Sequence, residues 1–62
     1  MKMQIKALRV NQNMTQDELA FVMGVSKRTI QCWEAYQTYP KANQLCSLAE
    51  ALKCEIADIF FP

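Results

Sequence analysis

Two helix-start signals, at Thr15 and Ser26, stand on either side of the only glycine in this 62-residue chain. In Thr15-Gln16-Asp17-Glu18, the Thr15 hydroxyl can accept a hydrogen bond from the Glu18 backbone N–H, while the Glu18 carboxylate accepts one from Thr15. This reciprocal pattern is a capping box, and acidic residues in a first turn also suit the positive end of the helix dipole. The sequence therefore predicts a helix that begins at about Gln16.

The second helix is predicted to end at Met23 and a third to follow almost at once. Gly24 supplies the positive φ of a sharp turn, and Ser26 can cap the next helix. Val25 before that cap and Ile30 inside the helix form a possible hydrophobic staple. The pattern is that of a helix, a tight turn and a second helix.

The rest of the chain predicts three further helices, over about Lys2–Gln12, Ala42–Leu52 and Ile56–Phe60. Asn13 tolerates the left-handed conformation that ends a helix, and Pro40 precedes the fourth helix. The apolar residues expected to face one core are Ile5, Leu8, Leu45, Leu48, Ala49, Leu52, Ile56, Ile59 and Phe60. No hairpin signal competes, so the expected fold class is all-α with five helices.

The chain length fits one domain over residues 1–62, with a helix-turn-helix core at about 15–35. The composition is 52% hydrophobic, which is too apolar for a disordered segment. No apolar run approaches the roughly 18 residues of a membrane span, and the first ten residues mix charged and aliphatic side chains. We expect a soluble, cytoplasmic protein with no membrane partner. So short a chain buries only about 60% of its unfolded surface and would gain from dimerisation.

No arrangement of residues supports catalysis or a metal site. The chain has no histidine, which excludes Ser-His and Cys-His catalysis. Cys32, Cys46 and Cys54 form no Cys-x-x-Cys pair, so no metal is expected, and free thiols fit a reducing compartment. We expect no enzyme activity, no cofactor and no small-molecule ligand.

The third helix has one apolar side and one polar side. At 100° per residue, Ile30 and Trp33 point inward, and the opposite direction carries Arg28, Gln31, Cys32 and Ala35, with Lys27 in the first turn. Arg and Lys can donate to guanine O6 and N7, Gln can pair with adenine, and an α-helix fits the major groove of B-DNA. The net charge of only +1 gives no such signal by itself. The pattern favours double-stranded DNA, with the start of the second helix near Gln16 aimed at a phosphate.

The segment Met14–Glu34 resembles the Cro/repressor-type helix-turn-helix domain of phage and bacterial regulators. The residues that carry this resemblance are Thr15-Gln16-Asp17-Glu18-Leu19-Ala20, Gly24-Val25-Ser26, Thr29-Ile30 and Trp33-Glu34. Ile5, Leu8 and Arg9 are similar to the first helix of that family, and the pattern after Pro40 is similar to its last two helices. The resemblance implies a lambda-repressor-like five-helix domain, acting as a dimer on a pseudo-palindromic operator.

The same resemblance implies roles for individual residues. Gln16 matches a phosphate contact that often also touches the recognition helix, and Arg9 with Glu34 matches a salt bridge between the first and third helices. Recognition-helix positions that commonly meet DNA are occupied by Ser26, Lys27, Arg28, Thr29, Gln31 and Cys32. Backbone contacts are implied for Thr38, Tyr39, Lys41 and Asn43. Cys32 could contact a thymine methyl group, act as a redox sensor, or simply be a small tolerated residue.

Three positions depart from the family pattern. Tyr36 stands where members often have glycine, so either it adopts a positive φ or the third helix continues by another turn. Lys41 replaces the usual small polar cap of the fourth helix, and Lys53 replaces a common glycine at its end. These departures concern loop geometry, whereas the fold expectation is unaffected. Cys46 and Cys54 stand where the family usually has aliphatic residues, so the resemblance implies that both are buried apolar filler.

The resulting functional hypothesis is a Cro-like repressor that occupies an operator as a homodimer, with Phe61 and the C-terminal helix as the expected subunit interface. Simple fraying of the chain end is the alternative interpretation of Phe61. Two other functional hypotheses remain open. One keeps DNA binding but makes the protein a restriction-modification controller or an antitoxin, and the other is a helical protein-interaction module that has lost DNA binding.

Overall fold

A computed structural model describes residues 3–60 and contains five helices in that range. They are α1 (Ile5–Asn11), α2 (Gln16–Met23), α3 (Lys27–Glu34), α4 (Ala42–Leu52) and α5 (Ile56–Ile59). Residues 3–60 contain no β-strand, only one isolated antiparallel bridge between Met3 and Phe60. The predicted five-helix, all-α fold is confirmed.

The starts of α2 and α3 are fixed by the side chains that the sequence indicated. Thr15 Oγ1 accepts from the Glu18 backbone N–H at 3.0 Å, and Glu18 Oε1 accepts from the Thr15 N–H at 2.8 Å. Ser26 Oγ accepts from the Thr29 N–H at 3.2 Å. Gly24 lies between α2 and α3 with φ +70°, so the turn is as tight as predicted.

The first helix is shorter than predicted. It begins at Ile5, and its cap residue Gln4 makes no side-chain hydrogen bond to the helix start. The Gln4 backbone N–H instead donates to the Ile59 carbonyl at 2.7 Å, next to the bridge between Met3 and Phe60. The expected start at Lys2 lies outside the described residues, but a helix running through Met3 and Gln4 is wrong because this segment pairs with the end of α5. Asn13 has φ +56°, as its position predicted.

Besides Asn13 after α1, two further helix ends have a left-handed residue that is not glycine. The third helix stops at Glu34 and Tyr36 adopts φ +60°, so the alternative of a longer third helix is wrong. Lys53 ends α4 with φ +55°. At the start of α4, Lys41 makes no side-chain cap bond, and Gln44 supplies only the reciprocal half of a capping box, because its Oε1 accepts from the Lys41 N–H at 2.8 Å.

One core receives side chains from all five helices. Its largest fully buried members are Ile5, Leu19, Ile30, Leu48, Leu52 and Ile59, and Trp33 is 2% exposed. Two predictions about the core are wrong: Ile56 is 41% exposed and Cys46 is exposed. Cys54 and Phe60 are half-buried and pack against the core, whereas Phe61 lies outside the described residues.

The packing of the helices leaves one side of α3 open. The buried side of α3 packs against α2 and α1. Helix α4 packs against both α2 and α5. Because Ile30 and Trp33 are buried, the remaining side of α3 faces outward. Within residues 3–60, no helix is long and apolar enough to cross a membrane.

Candidate nucleic-acid interface

The outward side of α3 carries four side chains that the sequence analysis singled out, and we call them the α3 face: Lys27, Arg28, Gln31 and Cys32. Lys27, Arg28 and Gln31 are exposed and Cys32 is half-buried. The opposite side is fixed by Ile30, which is fully buried, and by Trp33. An α-helix held from behind in this way can present two cations and an amide to the floor of a major groove.

Ser26 and Thr29 have a structural role at the start of α3. Ser26 Oγ accepts the Thr29 N–H, and the two hydroxyl groups lie 3.1 Å apart. Ser26 is exposed and Thr29 is half-buried. Because the Ser26 hydroxyl caps the helix and also contacts the Thr29 hydroxyl, it fixes where the first turn of the α3 face begins.

A buried ion pair joins α1 to the end of α3, as the resemblance implied. Arg9 Nε donates to Glu34 Oε2 at 2.8 Å, and the side chains are only 11% and 7% exposed. Arg9 Nη2 also lies 3.4 Å from Glu34 Oε1, and Arg9 Nη1 donates to the Met14 carbonyl at 2.8 Å. The prediction that Arg9 and Glu34 meet is confirmed.

Glu34 also holds Gln16, the first residue of α2. Gln16 Nε2 donates to Glu34 Oε1 at 3.0 Å, which confirms the implied contact between Gln16 and the third helix. The same nitrogen carries a second N–H that can serve an outside acceptor. The network thus fixes the start of α2 relative to α3. It also holds the Gln16 amide at the N-terminus of α2, and helix N-termini are suited to binding phosphate.

One contact at this surface was missed by the sequence analysis. Lys27 Nζ lies 3.6 Å from Asp17 Oδ2 across the turn, with side-chain exposures of 51% and 72%. Asp17 was interpreted only as a complement to the dipole of α2, and a contact between residues on two different helices leaves no local spacing signal. An ion pair this exposed is worth little, so Lys27 can exchange Asp17 for another anion.

The remaining predicted residues lie in the loop from α3 to α4 and in the first turn of α4, and all of them are exposed: Thr38, Tyr39, Lys41 and Asn43. Buried Pro40 anchors the loop between them. In the part of the chain that the structure describes, no hydrogen bond or ion pair ties these side chains to the α3 face. They follow α3 directly along the chain and stay open to solvent.

The three cysteines are free and differ in their surroundings. Cys46 is exposed, and Cys32 and Cys54 are half-buried. Burial, followed by the nearby carboxylates of Asp58 and Glu55, raises the pKa of the Cys54 thiol above its ordinary value. Over residues 3–60, no group of three or more His, Cys, Asp or Glu side chains is placed to hold a metal ion.

Comparison with known proteins agrees with this geometry. The sequence model of the HTH_3 family, described as helix-turn-helix, matches residues 5–59. The P22 c2 repressor, solved in complex with a synthetic operator, is 34% identical to this chain with a TM-score of 0.81. That alignment covers 86% of this chain and 80% of the repressor chain. No curated protein matches the sequence significantly.

Two bacterial regulators have the same fold at lower identity. The restriction-modification controller protein C.AhdI from Aeromonas hydrophila is 27% identical, with a TM-score of 0.83 over 90% of this chain and 85% of its own. The clp gene regulator ClgR from Corynebacterium glutamicum is 26% identical, with a TM-score of 0.82 over 87% of this chain and 57% of its own. The matches are to DNA-binding regulators and not to enzymes.

Proposed function

Because the chain belongs to the HTH_3 helix-turn-helix family of DNA-binding transcriptional regulators, we propose that it is a Cro-like repressor that binds a pseudo-palindromic operator. The observation that carries this proposal is the α3 face, where Arg28 and Gln31 are exposed on the side away from buried Ile30 and Trp33 and Lys27 is exposed in the first turn. No other helix in the described range combines two adjacent exposed cations with an exposed amide on a side held by a buried core.

We assign direct base contacts to the α3 face. Arg28 and Lys27 donate to guanine, Gln31 pairs with adenine, and Cys32 packs against a thymine methyl group. Because Cys32 is half-buried, its thiol sits lower in the helix surface than its neighbours, which suits a short apolar contact.

We assign contacts with the DNA backbone to residues on both sides of α3. Gln16 donates to a phosphate from the start of α2, since Glu34 already fixes its amide group. Thr38, Tyr39, Lys41 and Asn43 contact the backbone from the loop and the first turn of α4, where they are exposed. Such contacts set position and orientation, whereas base contacts set sequence preference.

A homodimer completes the proposal. A net charge of +1 gives one copy little general attraction for DNA, so affinity must come from two half-sites bound together. We place the subunit interface at α5 and Phe61, where Ile56 exposes 41% of its surface. Residues 1–62 act as a single domain, and operator occupancy excludes polymerase.

The first experiment selects bound sequences from a random duplex library and then compares two variants that each lose one positive charge. Arg28→Ala removes a cation from the α3 face, whereas Lys53→Asn removes one at the end of α4 and keeps a residue that tolerates positive φ. Loss of a bidentate guanine contact costs about 1 to 3 kcal/mol, or about 5-fold to 150-fold in affinity.

We expect Arg28→Ala to weaken binding of the selected operator within that range and Lys53→Asn to leave it nearly unchanged. Fluorescence anisotropy at fixed salt measures both. Equal losses in the two variants would show that only net charge matters, and no complex at low ionic strength would favour the interaction-module hypothesis.

The similarity to C.AhdI supports a second candidate, a restriction-modification controller. Both candidates bind DNA through the same face but differ in output. A reporter gene placed behind the selected operator separates them: repression supports the Cro-like proposal, and activation supports the controller.

A further inference from the structure

Most of the exposed large apolar side chains fall on two surfaces of opposite shape. The set consists of Val10, Phe21, Val22, Tyr36, Tyr39 and Ile56. Phe21 and Val22 project from α2, whereas Val10 and Tyr36 line a depression beside α1. Neither surface belongs to the α3 face or to the C-terminal interface proposed above.

The first surface, the α2 ridge, is formed by Glu18, Phe21 and Val22. Residues three and four apart share one side of a helix, so these side chains lie next to one another. Phe21 is 87% exposed and Val22 is 59% exposed, although α2 buries Leu19 and Ala20 on its other side. A phenylalanine this exposed, next to a second apolar residue, is typical of an interaction surface.

The second surface, the α1 groove, is a depression of about 510 Å³ between α1 and the end of α3. Its apolar lining is Met3, Ala7, Val10 and Tyr36, and Lys6 is the exposed cation beside them. Glu34 also lines the groove, but its carboxylate is neutralised by Arg9. Lys6 therefore gives the groove a positive character.

We propose that the α2 ridge of one copy docks into the α1 groove of a second copy. Phe21 and Val22 would cover Val10 and Tyr36, and Glu18 would approach Lys6. Both surfaces are apolar and the charges beside them are opposite in sign, so the same chain carries both halves of the contact. The proposal does not depend on DNA binding.

A contact of this type joins two different surfaces. An assembly of several copies therefore has a free ridge at one end and a free groove at the other. Such head-to-tail association gives open chains, unlike a two-fold dimer that uses the same patch twice. A buried phenylalanine contributes only about 150 to 250 Å² of contact area, and an interface below about 1,200 Å² is weak and transient. We therefore expect the association at millimolar protein concentration.

Two variants test the proposal with the full-length protein under reducing conditions and without DNA. Phe21→Gln removes the ridge and leaves the groove, whereas Val10→Gln removes the groove and leaves the ridge. Both positions are exposed, so both variants should fold, which circular dichroism checks. Cys46→Ser is the control, because Cys46 is exposed on α4 outside both surfaces.

Sedimentation and concentration-dependent NMR shifts measure the self-association. We expect each Gln variant alone to associate about tenfold more weakly than the parent and Cys46→Ser to match the parent. Mixing the two Gln variants should restore association as one-to-one pairs without longer chains, because the ridge of Val10→Gln can enter the groove of Phe21→Gln. A C-terminal dimer interface is present in both variants and is not changed by mixing.

Three results would overturn the proposal. Unchanged association in either Gln variant means that the mutated surface is not used. A loss in Phe21→Gln alone means that the ridge binds somewhere other than the α1 groove. A loss in both variants without recovery on mixing means that the ridge and the groove are not partners.

Discussion

Arg9 and Glu34 form an ion pair from which water is largely excluded, and each of the three guanidinium nitrogens of Arg9 has an acceptor. Removing two charges from water is costly, and the attraction between them compensates only while both are present. Glu34 has a further partner in Gln16, so the pair also fixes the residue proposed to meet a phosphate. The two residues act as one unit in stability and in positioning.

We predict that Glu34→Ala destabilises the protein by about 3 to 5 kcal/mol, because it leaves the Arg9 guanidinium buried and unpaired. The double variant Arg9→Met with Glu34→Leu should recover most of that loss, since apolar residues can fill the same space. Urea denaturation followed by circular dichroism measures both variants. A double variant no more stable than Glu34→Ala would contradict this account.

Residue contacts differ in how much the sequence reveals of them. The pair of Arg9 and Glu34 was found because the resemblance places it, whereas Asp17 and Lys27 meet across the turn without any pattern that signals the contact. The outward direction of Arg28 and Gln31 followed from helix geometry alone. Sequence therefore predicts which way a helical residue faces better than which residue on another helix it contacts.

Helix boundaries were predictable where a side chain fixes them. The bounds of α2 and α4 agree with the predicted ones, since a capping box precedes α2 and a proline lies ahead of α4. The start of α1 was wrong because its cap makes no side-chain hydrogen bond, and a long-range pairing with α5 decides where it begins. That pairing is not visible in the local sequence.

The errors about the core have a related cause. Cys46 was expected in the core because the family usually has an aliphatic residue there, although it lies about 160° around α4 from buried Leu48 at 100° per residue. Ile56 is the first residue of α5, a helix of a single turn in which Ile59 is the buried residue. The direction of the side chain on α4 explains the exposure of Cys46, and the shortness of α5 explains that of Ile56.

The left-handed residues at the ends of α2 and α4 predict changes in stability of opposite sign. Gly24 and Lys53 both have a left-handed conformation, which costs a residue with a side chain about 1 to 2 kcal/mol. A methyl group at Gly24 would meet nothing within 4 Å, so Gly24→Ala should lose about 1 kcal/mol through backbone strain alone. Lys53→Gly should gain up to about 1 kcal/mol by relieving the same strain.

Thermal unfolding of the two variants and the parent measures these changes. Lys53→Ala is the matched control, because it removes the same side chain and keeps the strain. If Lys53→Gly and Lys53→Ala have the same stability, then the left-handed backbone at this position carries no significant strain.

The whole molecule offers one α3 face per copy and a net charge of +1, so the proposed operator binding depends on two copies held at a fixed separation. Half-sites in such complexes lie about 10 to 10.5 bp apart, centre to centre. We predict that adding ~5 bp between the half-sites turns one away from its α3 face and reduces affinity to that of a single half-site.

Gel-shift titration of the two operators at one salt concentration measures this effect. A further insertion that completes a full turn restores the facing direction but moves the half-sites about 34 Å farther apart, so affinity should stay at that of a single half-site if the separation of the two copies is fixed. An affinity that does not depend on the spacing of the half-sites would show that each copy binds alone, and it would contradict the proposed dimer.

The antiparallel bridge between Met3 and Phe60, with the Gln4 N–H bonded to Ile59, brings the two ends of the described chain side by side. A short peptide link across that gap would turn the fold into a closed ring without moving a helix. Closing the ring limits how far the unfolded chain can spread, so a cyclised protein should resist heat better than the linear one. New termini could then be introduced in an exposed loop, and the arrangement of the helices in space would stay unchanged.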